Sequence, residues 1–333
     1  DAPLRFVYSD QQVRTGSFGQ QSYIAYRAKI LKPEGLQIGN VTIVWNPSAG
    51  TATVHKLRIV RDGQEIDILK NQRFQIIQRE GGLEQAMLNG QLTAMLQAPG
   101  LRIGDELEFA ITIAAQDPTL GDHVFGAGQL PVQGMPGAFR FRLNWPDSMP
   151  LNWRATRDLP QNLPAVSHGQ SSIQFEMRDP NGSIINDGAP ARYNIRRFVE
   201  YSNFAKWSDV SKRFAPLFDQ AAMLSAESPL REEAAKIKAA SSNPTDRAQA
   251  ALRLVQEQVR YVYVGLDGGN YRPMSADEAW ERRFGDCKGK TAILLALLRE
   301  LKIEAEPLLV SLIGDDGVDV RLPSPTAFNH VLI

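Results

Sequence analysis

The residues best suited to chemistry lie in the stretch Arg283-Phe-Gly-Asp-Cys-Lys-Gly-Lys-Thr-Ala-Ile-Leu-Leu-Ala-Leu-Leu-Arg-Glu-Leu301. It carries the only cysteine, Cys287, where a Gly-Asp turn gives way to an apolar-striped helix. Further on, Phe328-Asn-His330-Val-Leu-Ile333 sets a histidine in a short apolar run. A thiolate is a strong nucleophile, whereas a free thiol with a pKa of about 8.5 is only slightly ionised at neutral pH. A cysteine in the first turn of a helix faces unpaired N–H groups and the positive end of the dipole, so the sequence predicts a stabilised thiolate. A histidine within reach adds a general base, and the first-turn N–H groups are suited to receive an oxyanion. Taken singly, each residue has a plain alternative: Cys287 as a small buried hydrophobe, His330 as a core histidine bonded to a carbonyl.

The elements that must hold this pair are helices and short strands. Ile293, Leu294, Leu297, Leu298 and Leu301 give the Cys287 helix a wide apolar face, which predicts a place at the centre of its domain. Asp286 is expected to cap that helix, and Lys288 either to assist the sulfur electrostatically or to sit in solvent. Upstream, Ser275-Ala-Asp-Glu278 is a capping-box pattern, and Asn243-Pro244 followed by Asp246 marks another helix start. Helical spacing also runs from Ser208 to Phe218 and from Leu230 to Ala240. Tyr263 and Tyr271 precede the Cys287 helix, each either a hydrogen-bond donor to an oxyanion or a packed ring, and Asn329 is a neighbour of His330. Glu306 to Leu312 and Phe328 to Ile333 read as strands separated by a polar loop.

The first half reads as β. Val41, Ile43 and Trp45 alternate with other residues, Leu57 and Ile59 lead into an Asp62-Gly63 hairpin turn, and Phe139, Phe141, Leu143 and Trp145 alternate with polar residues. Odd positions from Leu101 to Ile113 suggest one long strand, while 116–137 and 146–169 read as loops. Ile173 to Met177 and Tyr193 to Val199 are further strand candidates. Such strands predict an antiparallel β-sandwich over residues 1–200, then a helical connector over 201–242 and an α+β core over 243–333. His55, His123 and His168 are isolated and read as surface or turn histidines.

Composition narrows the function classes. The 333 residues favour two domains. At 43% hydrophobic and 22% charged, the chain is ordinary globular material. Lys+Arg and Asp+Glu stand at 37 each with no like-charge block, so nothing points to nucleic acid. No apolar run is long enough for a membrane helix, and one cysteine excludes an intrachain disulfide or a thiolate-rich zinc site. No cofactor is called for. The opening Asp1-Ala-Pro, without methionine or signal peptide, reads as a trimmed start.

Tyr271-Arg-Pro, Glu278-Ala-Trp280, Arg283-Phe-Gly-Asp-Cys-Lys-Gly-Lys-Thr291 and Pro323-Ser-Pro-Thr-Ala-Phe-Asn-His-Val331 together resemble bacterial transglutaminase-like proteins. Phe204-Ala-Lys-Trp-Ser-Asp-Val210 and the β half are similar to a domain of unknown function that precedes this core in many bacterial chains. The resemblance implies a papain-like α+β core with Cys287 as nucleophile and His330 as general base. It implies acyl transfer on peptide or side-chain amides through a thioester, ending in hydrolysis (a peptidase or amidase) or in cross-linking. It also implies an extracytoplasmic location, periplasmic or secreted. The family's aspartate follows the histidine on a later strand. Asp315, Asp316 and Asp319 precede His330 and do not match that position, so the core is expected to be truncated, its triad incomplete, and the chain impaired or inactive as it stands. A rival expectation is a non-catalytic envelope scaffold, whose β domain binds an envelope partner.

Overall fold

Alternating apolar and polar residues send one face of a strand into a core and leave the other in water. In the computed structural model of the chain, this pattern builds a β unit, and a separate helical unit carries Cys287 and His330. The structure describes residues 2–78, 91–184, 188–262, 271–312 and 316–333. The β unit comprises the described residues up to Ala205 together with Asp316–Leu322. The helical unit comprises the described residues of 206–312 together with Pro323–Ile333. Among the described residues no helix is long and apolar enough to cross a membrane.

The strands of the β unit are β1 (Leu4–Gly16), β2 (Gly19–Ile30), β3 (Asn40–Trp45), β4 (Gly50–Arg61), β5 (Gln64–Asp67), β6 (Gln75–Gln78) and β7 (Leu92–Gln97). They continue as β8 (Glu106–Ala115), β9 (Phe125–Gln129), β10 (Gly137–Pro146), β11 (Asn152–Ala155), β12 (Ala165–Ser167), β13 (Gln170–Arg178) and β14 (Phe198–Ser202). One eight-stranded sheet has the order β12-β13-β10-β1-β2-β8-β4-β5, and two three-stranded sheets have the orders β3-β7-β6 and β11-β14-β9. The expected antiparallel sandwich needs two amendments. The pair β1 and β10 is parallel, and the second layer is split into two small sheets.

Register explains the split. Phe175, Phe141, Gln11, Ile24, Ile111 and Val54 are successive cross-strand partners, so they share one face of the large sheet. Phe141 and Phe175 pack with Val199 and Tyr201 of β14. At the other end Leu57, Leu107 and Ile111 pack with Ile43 of β3 and Leu96 of β7. Ser9 and Gln11 of β1 put polar side chains on this face between the two clusters, so one apolar layer becomes two.

Other departures from the sequence reading have local causes. The strand expected from Leu101 begins only at Glu106, because the Asp105 carboxylate accepts the Arg102 backbone N–H at 2.8 Å and closes a turn through Gly104 at φ 94°. Strand β9 lies inside a segment read as loop. Its glycines are required, since a Cβ at Gly128 would fall 2.0 Å from the Phe141 ring and one at Gly126 2.4 Å from the Tyr201 hydroxyl. Strands β11 and β12 likewise fall in 146–169. The Asp62-Gly63 hairpin turn forms as expected, both residues having positive φ.

In the helical unit, α1 (Trp207–Ala221), α2 (Pro229–Ala240) and α3 (Pro244–Gln258) lead to β15 (Arg260–Tyr261), α4 (Ala276–Arg282) and β16 (Phe284–Gly285). Then come α5 (Cys287–Glu300), β17 (Leu308–Val310) and β18 (His330–Leu332). Ser228, Asn243 and Ser275 cap α2, α3 and α4 with their side chains. The core gathers Phe218, Leu230, Val255, Ala279 and Val331 around Ile293, Leu295 and Leu297 of α5. Residues 201–242, expected to be a helical connector, divide between the two units. Tyr201 belongs to β14, and α1 and α2 pack into the same core as α5.

The outward face of the large sheet carries a charged row, Tyr8, Arg27, Glu108 and Arg58, which are also cross-strand partners. Glu108 is buried and accepts from Tyr8 Oη at 2.8 Å, Lys56 Nζ at 3.0 Å and Arg58 Nε at 2.5 Å. Burial raises its pKa, but these three donors outweigh burial and bring it down to about 2. The folded state thus favours the ionised form, and its contribution, present above about pH 4.5, is lost as pH falls towards 2. In urea unfolding between pH 6 and pH 2, Glu108 should account for on the order of 3 kcal/mol of the acid loss. Glu108→Gln should be less stable at pH 6 and flatter below pH 4.5; a slope equal to wild type there would refute this assignment.

Candidate active site

A helix leaves its first N–H groups without intrahelical partners, and at α5 a side chain supplies one. Asp286, extended at φ −78° and ψ −172°, accepts the Gly289 N–H at 2.9 Å through Oδ1, the capping role the sequence predicts. Its other oxygen, Oδ2, pairs with Lys288 Nζ. Lys288 is only 1% exposed and Asp286 7%, so the solvated lysine is replaced by a buried ion pair. Cys287 lies between the two in sequence and opens the helix.

Short strand pairs bring the remaining groups to this helix start. Tyr261 of β15 is the register partner of Gly285 of β16, two residues before Cys287. On the other side β18 runs antiparallel to β17, with His330 opposite Val310. The Tyr261 side chain and the Val331 backbone N–H lie near enough to the Cys287 sulfur for each to favour its thiolate form. The Tyr261 and His330 rings lie with centroids 6.3 Å apart. Asp286 and Lys288 act electrostatically on both Cys287 and His330. The sulfur, the imidazole and the ion pair therefore form one cluster.

The charge state differs from the one the sequence predicts. Cys287 is 3% exposed, and burial pushes its thiol up. Lys288 opposes that rise and Asp286 adds to it, while Val331 and Tyr261 lower it. Burial pushes His330 below its ordinary value, Asp286 acting against and Lys288 with it. Both shifts favour the neutral forms, a thiol beside an imidazole, over the thiolate that the helix start predicts, with burial the leading cause of each. The His330 Nδ1 is buried and has no hydrogen-bond partner among the described residues; an acceptor there would hold the ring in one tautomer.

The supporting residues fare differently. Tyr271 packs edge-on against Phe214 with centroids 5.5 Å apart, the packed-ring alternative. Asn329 accepts the Leu312 N–H at 2.8 Å and steadies the β17–β18 pair. Tyr263 and Asp315 lie outside the described residues. Asp316 and Asp319 are engaged by Arg192 in the β unit, at 2.6 and 3.2 Å. The residue missed was Tyr261. In the sequence, alternation could have found it, since a strand written through this stretch would put Tyr261 in phase with the Tyr263 already singled out.

Comparison with known proteins bears mainly on the β unit. Residues 16–182 match the profile of DUF3857, a domain of unknown function with solved structures. The chain belongs to the DUF3857 family. This agrees with the β-rich N-terminal half expected from the sequence. A candidate protease from Parabacteroides distasonis ATCC 8503, solved at 2.00 Å, superposes with a TM-score of 0.74 at 13% identity, over 99% of the DUF3857 chain and 64% of its own. At that identity the likeness is one of fold, and the chain spans less than two thirds of that protein. An M1 zinc metallopeptidase from Deinococcus radiodurans covers 60% of this chain and 42% of its own at 12% identity, with a TM-score of 0.27, too low to bear on fold or chemistry. No curated protein matches the sequence.

Two measurements test the site electrostatics of this DUF3857 protein. Lys288→Met should leave Asp286 buried and unpaired and cost about 3–5 kcal/mol in urea unfolding, most of it recovered in the Asp286→Asn/Lys288→Met double variant. A loss below about 1 kcal/mol in the single variant would mean the pair does not hold the helix start. Iodoacetamide labelling of native Cys287 should be slower at pH 7 than that of a free cysteine and still rising above pH 9. A plateau below pH 8 would place the thiolate where the helix-dipole expectation had it.

Proposed function

We propose that this protein is a cysteine-dependent acyl-transfer enzyme acting on peptide or side-chain amide bonds, with hydrolysis as the favoured outcome. The observation that carries the reading is the convergence on one sulfur of Tyr261, the Val331 N–H and the strand bearing His330, at the first residue of a long buried helix. The neutral His330 takes the thiol proton as the Cys287 sulfur attacks the amide carbon. The carbon–sulfur bond forms, the carbon–nitrogen bond breaks, and the amine leaves with that proton. Water then attacks the thioester with His330 again as base, releasing the acid and restoring the thiol; an amine attacking instead gives cross-linking. Tyr261 Oη and the Val331 N–H are donors positioned for the developing charge once substrate draws the sulfur away from them. A transglutaminase-like core, with an extracytoplasmic location, is the family reading that accompanies this chemistry.

A second reading has its own support. A cysteine that is 3% exposed, with its thiol pushed up, also suits a non-catalytic scaffold in which Cys287 packs as a small hydrophobe. Turnover of a panel of peptide and side-chain amides by the full-length protein separates the two. Cys287→Ala and His330→Ala should each lower kcat/KM by at least about 1,000-fold, and Tyr261→Phe by about 10-fold, with unchanged circular dichroism. Absence of turnover across the panel by the full-length wild type would leave the scaffold standing, and full activity in Cys287→Ala would refute Cys287 as the nucleophile.

A further inference from the structure

A cavity of about 550 Å³ opens beside the helix start, within the helical unit. That volume suits one or two amino-acid side chains. Leu217, Val262, Met274 and Phe284 give it apolar walls, and its lining ends at Gly285 and Asp286, immediately before Cys287. Among the described residues three charged ones share this lining, and two are already neutralised. Glu278 pairs with Arg282 at 2.7 Å, and Asp286 pairs with Lys288. The third, Arg272, is exposed and makes no ion pair or hydrogen bond among the described residues. An unpaired guanidinium against an apolar wall is matched by a ligand with an apolar body and a carboxylate, which the planar fork can grip with two hydrogen bonds.

We propose that this cavity is a specificity pocket and that Arg272 reads a carboxylate on the substrate. Resting on the acyl-transfer reading, this makes the substrate a peptide with an apolar residue and an acidic group near the amide that Cys287 attacks. The acidic group has two sources, a Glu or Asp side chain or a free chain terminus. Arg272 is a binding residue here, with no part in bond making.

The test uses equilibrium binding to the full-length Cys287→Ala protein, so it does not depend on turnover. Three probes differ only in charge: N-acetyl-Leu-Glu-amide carries a side-chain carboxylate, N-acetyl-Leu-Gln a terminal one, and N-acetyl-Leu-Gln-amide neither. Measured by NMR titration, one of the two acids should bind at least about 10-fold more tightly than the uncharged peptide, and which one identifies the source. Adding Arg272→Ala should remove that preference, and adding Arg272→Glu should reverse it towards N-acetyl-Leu-Lys-amide. Equal binding of the three probes, undetectable binding of all three, or a preference surviving Arg272→Ala would each overturn the proposal. A carboxylate preference with full wild-type turnover in Cys287→Ala would keep the pocket and discard the catalytic reading.

Discussion

The buried ion pair between Asp286 and Lys288 is the constraint on which the candidate site rests. A lysine ammonium at 1% exposure is costly to desolvate unless a carboxylate meets it, and the same carboxylate closes the first turn of α5. Held by two kinds of bond, Asp286 fixes where the helix begins and therefore where Cys287 stands. Because the pair is almost neutral as a unit, its influence on the neighbouring sulfur and imidazole is the difference of two opposing fields. That leaves burial as the dominant influence on both groups, and it explains a thiol pushed up beside an imidazole pushed down.

Around this point the helical unit is built from the inside outward. Helix α5 is apolar on nearly all sides, so α1 to α4 and the short strand pairs can wrap it only by burying its start as well. A Cβ placed at Gly285 or Gly289 would meet the Ala279 side chain at ordinary van der Waals distance, so α4 lies alongside the first turn of α5.

Much of this was legible in the sequence, because caps and periodicity are local. Asn243, Ser275 and Asp286 announce helix starts through side-chain geometry that needs no tertiary partner. Alternation in β3, β4 and β10 likewise reports a buried face directly. What escaped depended on partners distant in sequence. The Phe125–Gln129 strand looks like loop until Phe141 and Tyr201 are seen to occupy the space its glycines leave. The false start at Leu101 came from a turn that happens to continue the parity of β8. At the site, positions of Cys287 and His330 were readable as motif, whereas their protonation states were not, since those follow from burial.

Asp316–Leu322 precedes the strand of His330 in the chain yet belongs to the β unit. Its Asp316 and Asp319 are held by Arg192, and its Arg321 lies 3.2 Å from the buried Glu200. A gene fragment that begins at the helices would therefore carry these three charges without their counter-ions. Conversely, a fragment ending near residue 205 would strip Arg192 of both its acids and Glu200 of one of its two arginines. The chain is partitioned in space but not in sequence: neither unit can be excised as one contiguous segment, and shuffling either between proteins would have to carry a borrowed piece of the other.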